Sequence, residues 1–187
     1  MRDVLKRLAC IAAVAAVCGL SIELRADDAV RIKSGTVEVG SPVSLAGGAF
    51  TIEGTQGFSY TGGAEGGTSE GDCAPCVAGD TISLTTELTG TYFGTATYRG
   101  QTYELDSSNG GGSFTFSSPD FVLPPNDGDG EVIVEQPFSL ADSSLALPTG
   151  DVVPVEGSGT ATARFTTFQD AGVTYYFLVD ITFTFDK

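Results

Sequence analysis

Two cysteines, Cys73 and Cys76, stand in the segment Gly71-Asp-Cys-Ala-Pro-Cys-Val-Ala-Gly79, and no histidine occurs in the 187 residues. A Cys-x-x-Cys pair can be a dithiol redox centre, half of a metal site, or a local disulfide. A thioredoxin-type centre needs its first cysteine at a helix N-terminus, where the dipole lowers the thiol pKa. Here Val77-Ala-Gly79 and then a β-type run follow, without a helix signal. A tetrahedral zinc site needs four ligands, usually two such pairs or added histidines. The context favours a Cys73–Cys76 disulfide, formed in an oxidising compartment. Closing so short a loop contributes about 2 kcal/mol in the chain-entropy picture.

The second constellation is Asn126, Asp127, Asp129 and Glu131, around the turn Asn126-Asp-Gly-Asp-Gly130. Hard oxygen donors in a tight turn are the set that calcium takes. The EF-hand template fails, because Gly130 at its sixth position would put Pro125 at the first. A polar hairpin tip is the plainer reading, since Asp-Gly is a common turn. Glu65, Glu70 and Asp72 form another acidic set with the same alternative.

Without histidine, neither a Ser-His-Asp nor a Cys-His site can exist. A paired-carboxylate glycosidase stays open, because acids are plentiful. It would need a cleft with aromatic platforms, and tryptophan is absent. Tyr92, Tyr98 and Tyr103 could form such a platform, although strand aromatics more often pack across strands. Arg99 and Arg164 are conspicuous by scarcity, and an ion pair with a carboxylate is their default role.

Residues 1–26 read as an export signal, helical over its apolar part. Arg2, Lys6 and Arg7 precede an apolar run over 8–20, and Leu24-Arg25-Ala26 suits cleavage. The run is short for a membrane span of about 20 residues. Cys10 and Cys18 lie within it, and neither fits a lipid-attachment site well. The mature chain, 27–187, then carries five bases against 22 acids, a net charge of −17. Such a surface repels nucleic acid and anionic lipid.

After residue 26, Thr, Val, Phe, Ser and Gly dominate, and short alternating runs are broken by turn residues. Strands are predicted at 29–33, 36–39, 43–45, 49–53, 58–61, 81–88, 92–99, 101–105, 113–117, 121–123, 131–135, 152–155, 159–168 and 173–185. Gly100 predicts a tight reversal. The Asp-Gly turn predicts a hairpin between 121–123 and 131–135. Residues 62–79 read as a long loop. In the last strand, Val173, Tyr175, Phe177, Val179, Ile181, Phe183 and Phe185 alternate on one face, predicted to face the core. Gly94-Thr-Ala-Thr and Gly159-Thr-Ala-Thr echo each other.

The expected fold is all-β: a single antiparallel β-sandwich over 27–187, with a small β-barrel as the alternative. Cys-x-Pro-Cys followed by x-x-Gly-Asp-Thr, then Gly-Thr-Ala-Thr-Tyr-x-Gly-x-Thr-Tyr, Pro-Phe and Gly-Ser-Gly-Thr-Ala-Thr resembles a group of uncharacterised secreted bacterial β-rich proteins. The likeness spans most of 35–168. Some members carry a Pro-Glu-Pro C-terminal sorting signal, whereas this sequence ends at Phe185-Asp-Lys187. The resemblance implies secretion and β structure and brings no activity with it. The expectation is a secreted, extracellular, periplasmic or cell-surface protein that binds or builds, without nucleic acid or membrane contact once the signal is cleaved. A glycan or another surface component is the candidate partner. The alternatives are a carboxylate-dependent glycoside hydrolase-like enzyme and a small outer-membrane β-barrel.

Overall fold

The computed structural model describes residues 29–40, 47–71, 75–126, 128 and 130–186, with the side chains of 68–71 excepted. Residues 1–26, read from the sequence as an export signal, and Cys73, Asp127 and Asp129 lie outside the described residues.

Period-two alternation makes each strand amphipathic, and a strand so built needs partners on both edges and a core on one face. Eight strands satisfy this together: β1 (Val30–Val39), β2 (Gly47–Gly54), β3 (Ser59–Glu65), β7 (Leu84–Tyr98), β9 (Gly111–Ser117), β11 (Gly130–Ala146), β13 (Ser158–Asp170) and β14 (Val173–Phe185). Each is antiparallel to the next in this order. β14 then returns to β1, from Gly35↔Phe185 to Val39↔Ile181, and closes the ring. The fold is a closed eight-stranded antiparallel barrel with extra strands. This corrects the expected sandwich. The all-β reading stands, and so does the barrel alternative. Alternation looks the same in both architectures; the pairing of first strand with last separates them, and it removes both sheet edges.

Shorter strands extend the wall. β4 (Thr68–Gly71) and β8 (Gln101–Leu105) pair the start and the end of β7. β12 (Val152–Glu156) pairs the end of β11 and runs parallel to the start of β1, Val30↔Val155. β5 (Cys76–Val77) pairs β14. β6 (Thr81–Ile82) and β10 (Phe121–Val122) form a separate two-stranded sheet. Two expectations fail here. β10 pairs β6, so 121–123 and 131–135 form no hairpin. The expected 62–79 loop contains the end of β3, then β4 and β5. The turn at Gly100 is present: Tyr98 pairs Gln101, with Arg99 at φ 51° and Gly100 at φ 80°.

The last strand changes face midway. Arg164 pairs Asp180, but the next pair is Phe165↔Leu178, so Val179 is an extra, bulged residue. One inserted residue reverses every side chain beyond it. Ile181, Phe183 and Phe185 face the core as predicted. Val173 and Phe177 are instead exposed, while Thr174 and Tyr176 are buried.

Aromatic rings fill the barrel. Phe50, Tyr60, Tyr92 and Phe114 lie with centroids 5.1–6.1 Å apart. Phe116 stacks on Phe183 at 4.2 Å and continues the cluster to Phe138 and Phe185. The outer wall is mainly polar, with Phe93, Ile133, Phe168, Val173 and Phe177 also exposed on it. Thr160, Thr184, Thr36, Thr51, Thr61 and Thr95 are paired in one row across six strands. β-branched neighbours suit a pleated surface, and such cross-strand pairs contribute about 0.2–1 kcal/mol each.

Of the three buried phenols, Tyr60 and Tyr92 are fully enclosed, and Tyr176 sits slightly nearer the surface. Tyr60 donates to the carbonyls of Gly63 (2.7 Å) and Phe93 (3.0 Å), and Tyr92 to that of Leu88 (2.5 Å). Burial raises both far above their ordinary value of 10.0, and proximity to Tyr60 adds to the effect on Tyr92. The folded state therefore holds these protons more tightly than the unfolded chain. Stability is fully present below about pH 10 and falls above it, by about 1.4 kcal/mol per pH unit for each phenol. Urea melts between pH 8 and 12 should show that fall. Tyr60→Phe and Tyr92→Phe should flatten it, and an unchanged profile in both variants contradicts the assignment.

Candidate functional site at the barrel mouth

The two ends of the barrel differ. At one end, residues 78–84 and 118–126 cross-link to each other and to β14. Gly79 N–H donates to Leu123, Leu123 N–H to Asp80, and Ala78 N–H to Thr174. Ile82, Phe121 and Leu123 of these two segments are buried. The opposite end carries three turns: Thr55–Gly57, Arg99–Gly100 and 147–151.

At that second end the inner faces of β7 and β8 emerge. Ala96, fully buried, pairs Tyr103, and Tyr98 pairs Gln101. Paired residues share a face, so Tyr98 and Tyr103 point inward, diagonal to one another. Both are half-buried and rest on the core. With Gln101, Asp151, Val152 and Pro154 they line a depression of about 440 Å³. This is the mouth of the barrel, where barrels commonly take ligands.

The mouth is held rigidly. Gln56 accepts from the Tyr98 hydroxyl (3.2 Å) and from Arg99 Nε (3.3 Å) and Nη2 (3.1 Å) on one side-chain oxygen. Arg99 N–H also donates to the Gln56 carbonyl, 3.2 Å. The Arg99 guanidinium sits 4.9 Å from the Tyr98 ring centroid, a cation–π contact. Gln56 (φ 57°) and Arg99 (φ 51°) both occupy the left-handed region, so two tight turns meet at this contact. Tyr103 donates to Gln101 Oε1 at 2.6 Å, and Thr149 donates to Asp151 Oδ2 at 2.8 Å.

Of the three tyrosines singled out from sequence, the fold brings Tyr98 and Tyr103 together at the mouth and sinks Tyr92 in the core. Asp151 and Gln56 carried no sequence signal: they arrive from turns 42 or more residues away from their neighbours in the mouth. A paired-carboxylate mechanism needs two acids about 5–9.5 Å apart. Asp151 is the one carboxylate among the described residues lining this depression.

The other expected sites are distributed elsewhere. Asn126 and Glu131 are described, while Asp127 and Asp129 are not. Asn126 Nδ2 donates to the Gly128 carbonyl (2.9 Å) and to Thr167 Oγ1 (2.8 Å), and the Asn126 carbonyl accepts from Thr174. Glu131 accepts from Arg164 Nη1 at 3.3 Å. Among the described residues no three His, Cys, Asp or Glu side chains are grouped to hold a metal ion. Arg164 also donates through Nε (3.0 Å) and Nη2 to Asp180, the default role read from sequence. Asp180, then Glu131, raises the Arg164 pKa above its ordinary value. Cys76 lies half-buried on β5, and its expected partner Cys73 lies outside the described residues.

A second depression, about 720 Å³, lies where β14 ends beside β1. Arg31, Lys33, Glu156 and Asp186 line it, with Arg31 bound to Glu156 at 3.0 Å, so its charges balance internally.

No protein-family model, curated protein or solved structure matches the chain.

Proposed function

We propose that this chain is an exported, non-enzymatic binding module of the extracellular space or cell surface that recognises its ligand at the barrel mouth. The observation that carries this reading is the polarity of the wall. Phenylalanine and tyrosine fill the interior, and threonine, serine and glutamate dominate the outer face, where Phe93, Ile133, Phe168, Val173 and Phe177 are exposed on four separate strands. A membrane-spanning barrel needs an apolar outer band and commonly has a polar lumen, which is the reverse arrangement. A filled barrel also has no room for a ligand within, so recognition falls to the outer wall and the mouth. The Cys73–Cys76 disulfide belongs to this reading as a clip for the segment that enters β5, and export supplies the oxidising compartment.

The test is fractionation of cells expressing the full chain, with mass spectrometry of the product. The expected product begins at Asp27, has Cys73 and Cys76 oxidised to each other, stays soluble without detergent, and is retained on isolated cell envelopes. Extraction only with detergent would support the membrane barrel and sink this reading. Hydrolysis of envelope glycans, lost in Asp151→Asn, would support an enzyme instead.

A further inference from the structure

We infer that the mouth binds a neutral oligosaccharide, with Tyr98 and Tyr103 as the stacking platform and Asp151 and Gln101 as the hydroxyl readers. The assignment rests on the binding-module reading and names the ligand class of the same site.

A pyranose ring has apolar C–H faces and a polar rim. A site for it combines exposed aromatic or aliphatic surface with planar hydrogen-bonding groups at the edge, the general pattern of a small-ligand pocket. The mouth has both. The two tyrosines are joined by Val152, 52 % exposed, and by Pro154. At the edge stand the Asp151 carboxylate, an acceptor, and the Gln101 amide. Tyr103 donates to the Gln101 oxygen, which leaves the amide nitrogen as the donor of that side chain. Acceptor and donor together suit a vicinal diol.

The site is also ordered before a ligand arrives. Tyr98 is held by Gln56 and Arg99, and Tyr103 by Gln101. Side chains already fixed lose little entropy on binding. The volume, about 440 Å³, lies within the roughly 300–1,000 Å³ of small-molecule sites.

Charge selects the sugar class. Arg99 and Asp151 cancel within the mouth, so the site itself is close to neutral. The remainder of the mature chain supplies the −17 field, which lowers the local concentration of uronate or sulfated chains. Neutral chains meet no such barrier.

The experiment uses the mature protein, which lacks tryptophan, so intrinsic fluorescence reports its six tyrosines. Cello-, xylo- and manno-oligosaccharides are titrated by fluorescence and calorimetry, beside oligogalacturonate. At least one neutral series is expected to bind saturably, with oligogalacturonate weaker. Tyr103→Ala and Asp151→Asn should each weaken binding by on the order of tenfold, while Phe168→Ala, at an exposed ring on β13, leaves it unchanged. Melting curves accompany each variant. Where Tyr103→Ala fails to fold, the exposed Asp151→Asn and Gln101→Ala carry the test. Neutral sugars that bind equally well to all these variants, or stronger binding of oligogalacturonate, overturn the assignment. Retention on envelopes undiminished by Asp151→Asn and Gln101→Ala, with no oligosaccharide bound, sinks the sugar site and leaves the binding module standing. Failure in both assays sinks both.

Discussion

Phe116→Ala is expected to cost about 3–5 kcal/mol of folding stability, the range for emptying a large aromatic position in a packed core. Phe116 is fully buried on β9, midway along the cluster. Its ring stacks on Phe183 at 4.2 Å and lies 5.8 Å from Phe138, 6.4 Å from Phe114 and 6.4 Å from Phe185. It links the aromatics of β2, β3 and β7 to those of β11 and β14. A closed barrel cannot collapse inward to refill the space without breaking wall hydrogen bonds, so relaxation is limited. Domains of this size are stable by only about 5–15 kcal/mol, so the loss is a large share of the total. Urea unfolding measures it. The control is Phe168→Ala, at a ring 54 % exposed, which should stay within about 0.5 kcal/mol of the parent. Equal losses in the two variants would mean that the aromatic cluster is not the core of this fold.

Gly94→Val is expected to cost about 2–6 kcal/mol, from roughly 1–3 of backbone strain and roughly 1–3 of overpacking. Gly94 sits in β7 at φ 119°, opposite Gly62 of β3. A Cβ there would lie 2.4 Å from the Thr61 carbonyl oxygen and 2.6 Å from the Gly62 Cα. From the other side, a Cβ on Gly62 would lie 2.0 Å from the Phe93 carbonyl oxygen. Backbone is the obstacle in both cases, so the two strands would have to part and the ring would open. Paired glycines of this kind let a sheet bend into a barrel. Gly100→Ala separates the two causes. Its φ is 80°, but nothing lies within 4 Å of the added Cβ, so it should show the strain alone. Amide exchange across β3 and β7 should accelerate in Gly94→Val. Denaturation midpoints equal to those of Gly100→Ala would remove the close approach as a cause.

Strand positions were readable wherever alternation ran unbroken. Residues 49–53, 113–117 and 181–185 place every second side chain inside, as their pattern requires. The echo of Gly-Thr-Ala-Thr at 94–97 and 159–162 also has a physical basis. In both strands the threonines face out, with Thr95 and Thr160 at opposite ends of one row, and Ala96 and Ala161 are buried within. The pattern misled at Val179, because a bulge leaves no mark on composition and reverses the face of all that precedes it in β14. It misled again at the Asp-Gly turn: 121–123 is as good a strand as any other, but Ile82 lay nearer than Val132 once the chain had folded.

The mouth was half legible. Tyr98 and Tyr103 are brought together by a reversal visible at Gly100, a local event. Gln56 and Asp151 join them only because the barrel brings the ends of β2, β7 and β11 to one rim.

The sequence by itself determined the all-β class, the acidic polar exterior and the aromatic supply for one core. These follow from residue types and period two, which act over a few residues. Closure into a barrel, the reversal in the last strand and the meeting of tyrosines, arginine and carboxylate at one mouth were decided by the tertiary structure. Each depends on pairings between strands far apart in the chain, β1 with β14 above all. Such pairings are chosen by which edges and faces remain unsatisfied when the whole sheet is assembled.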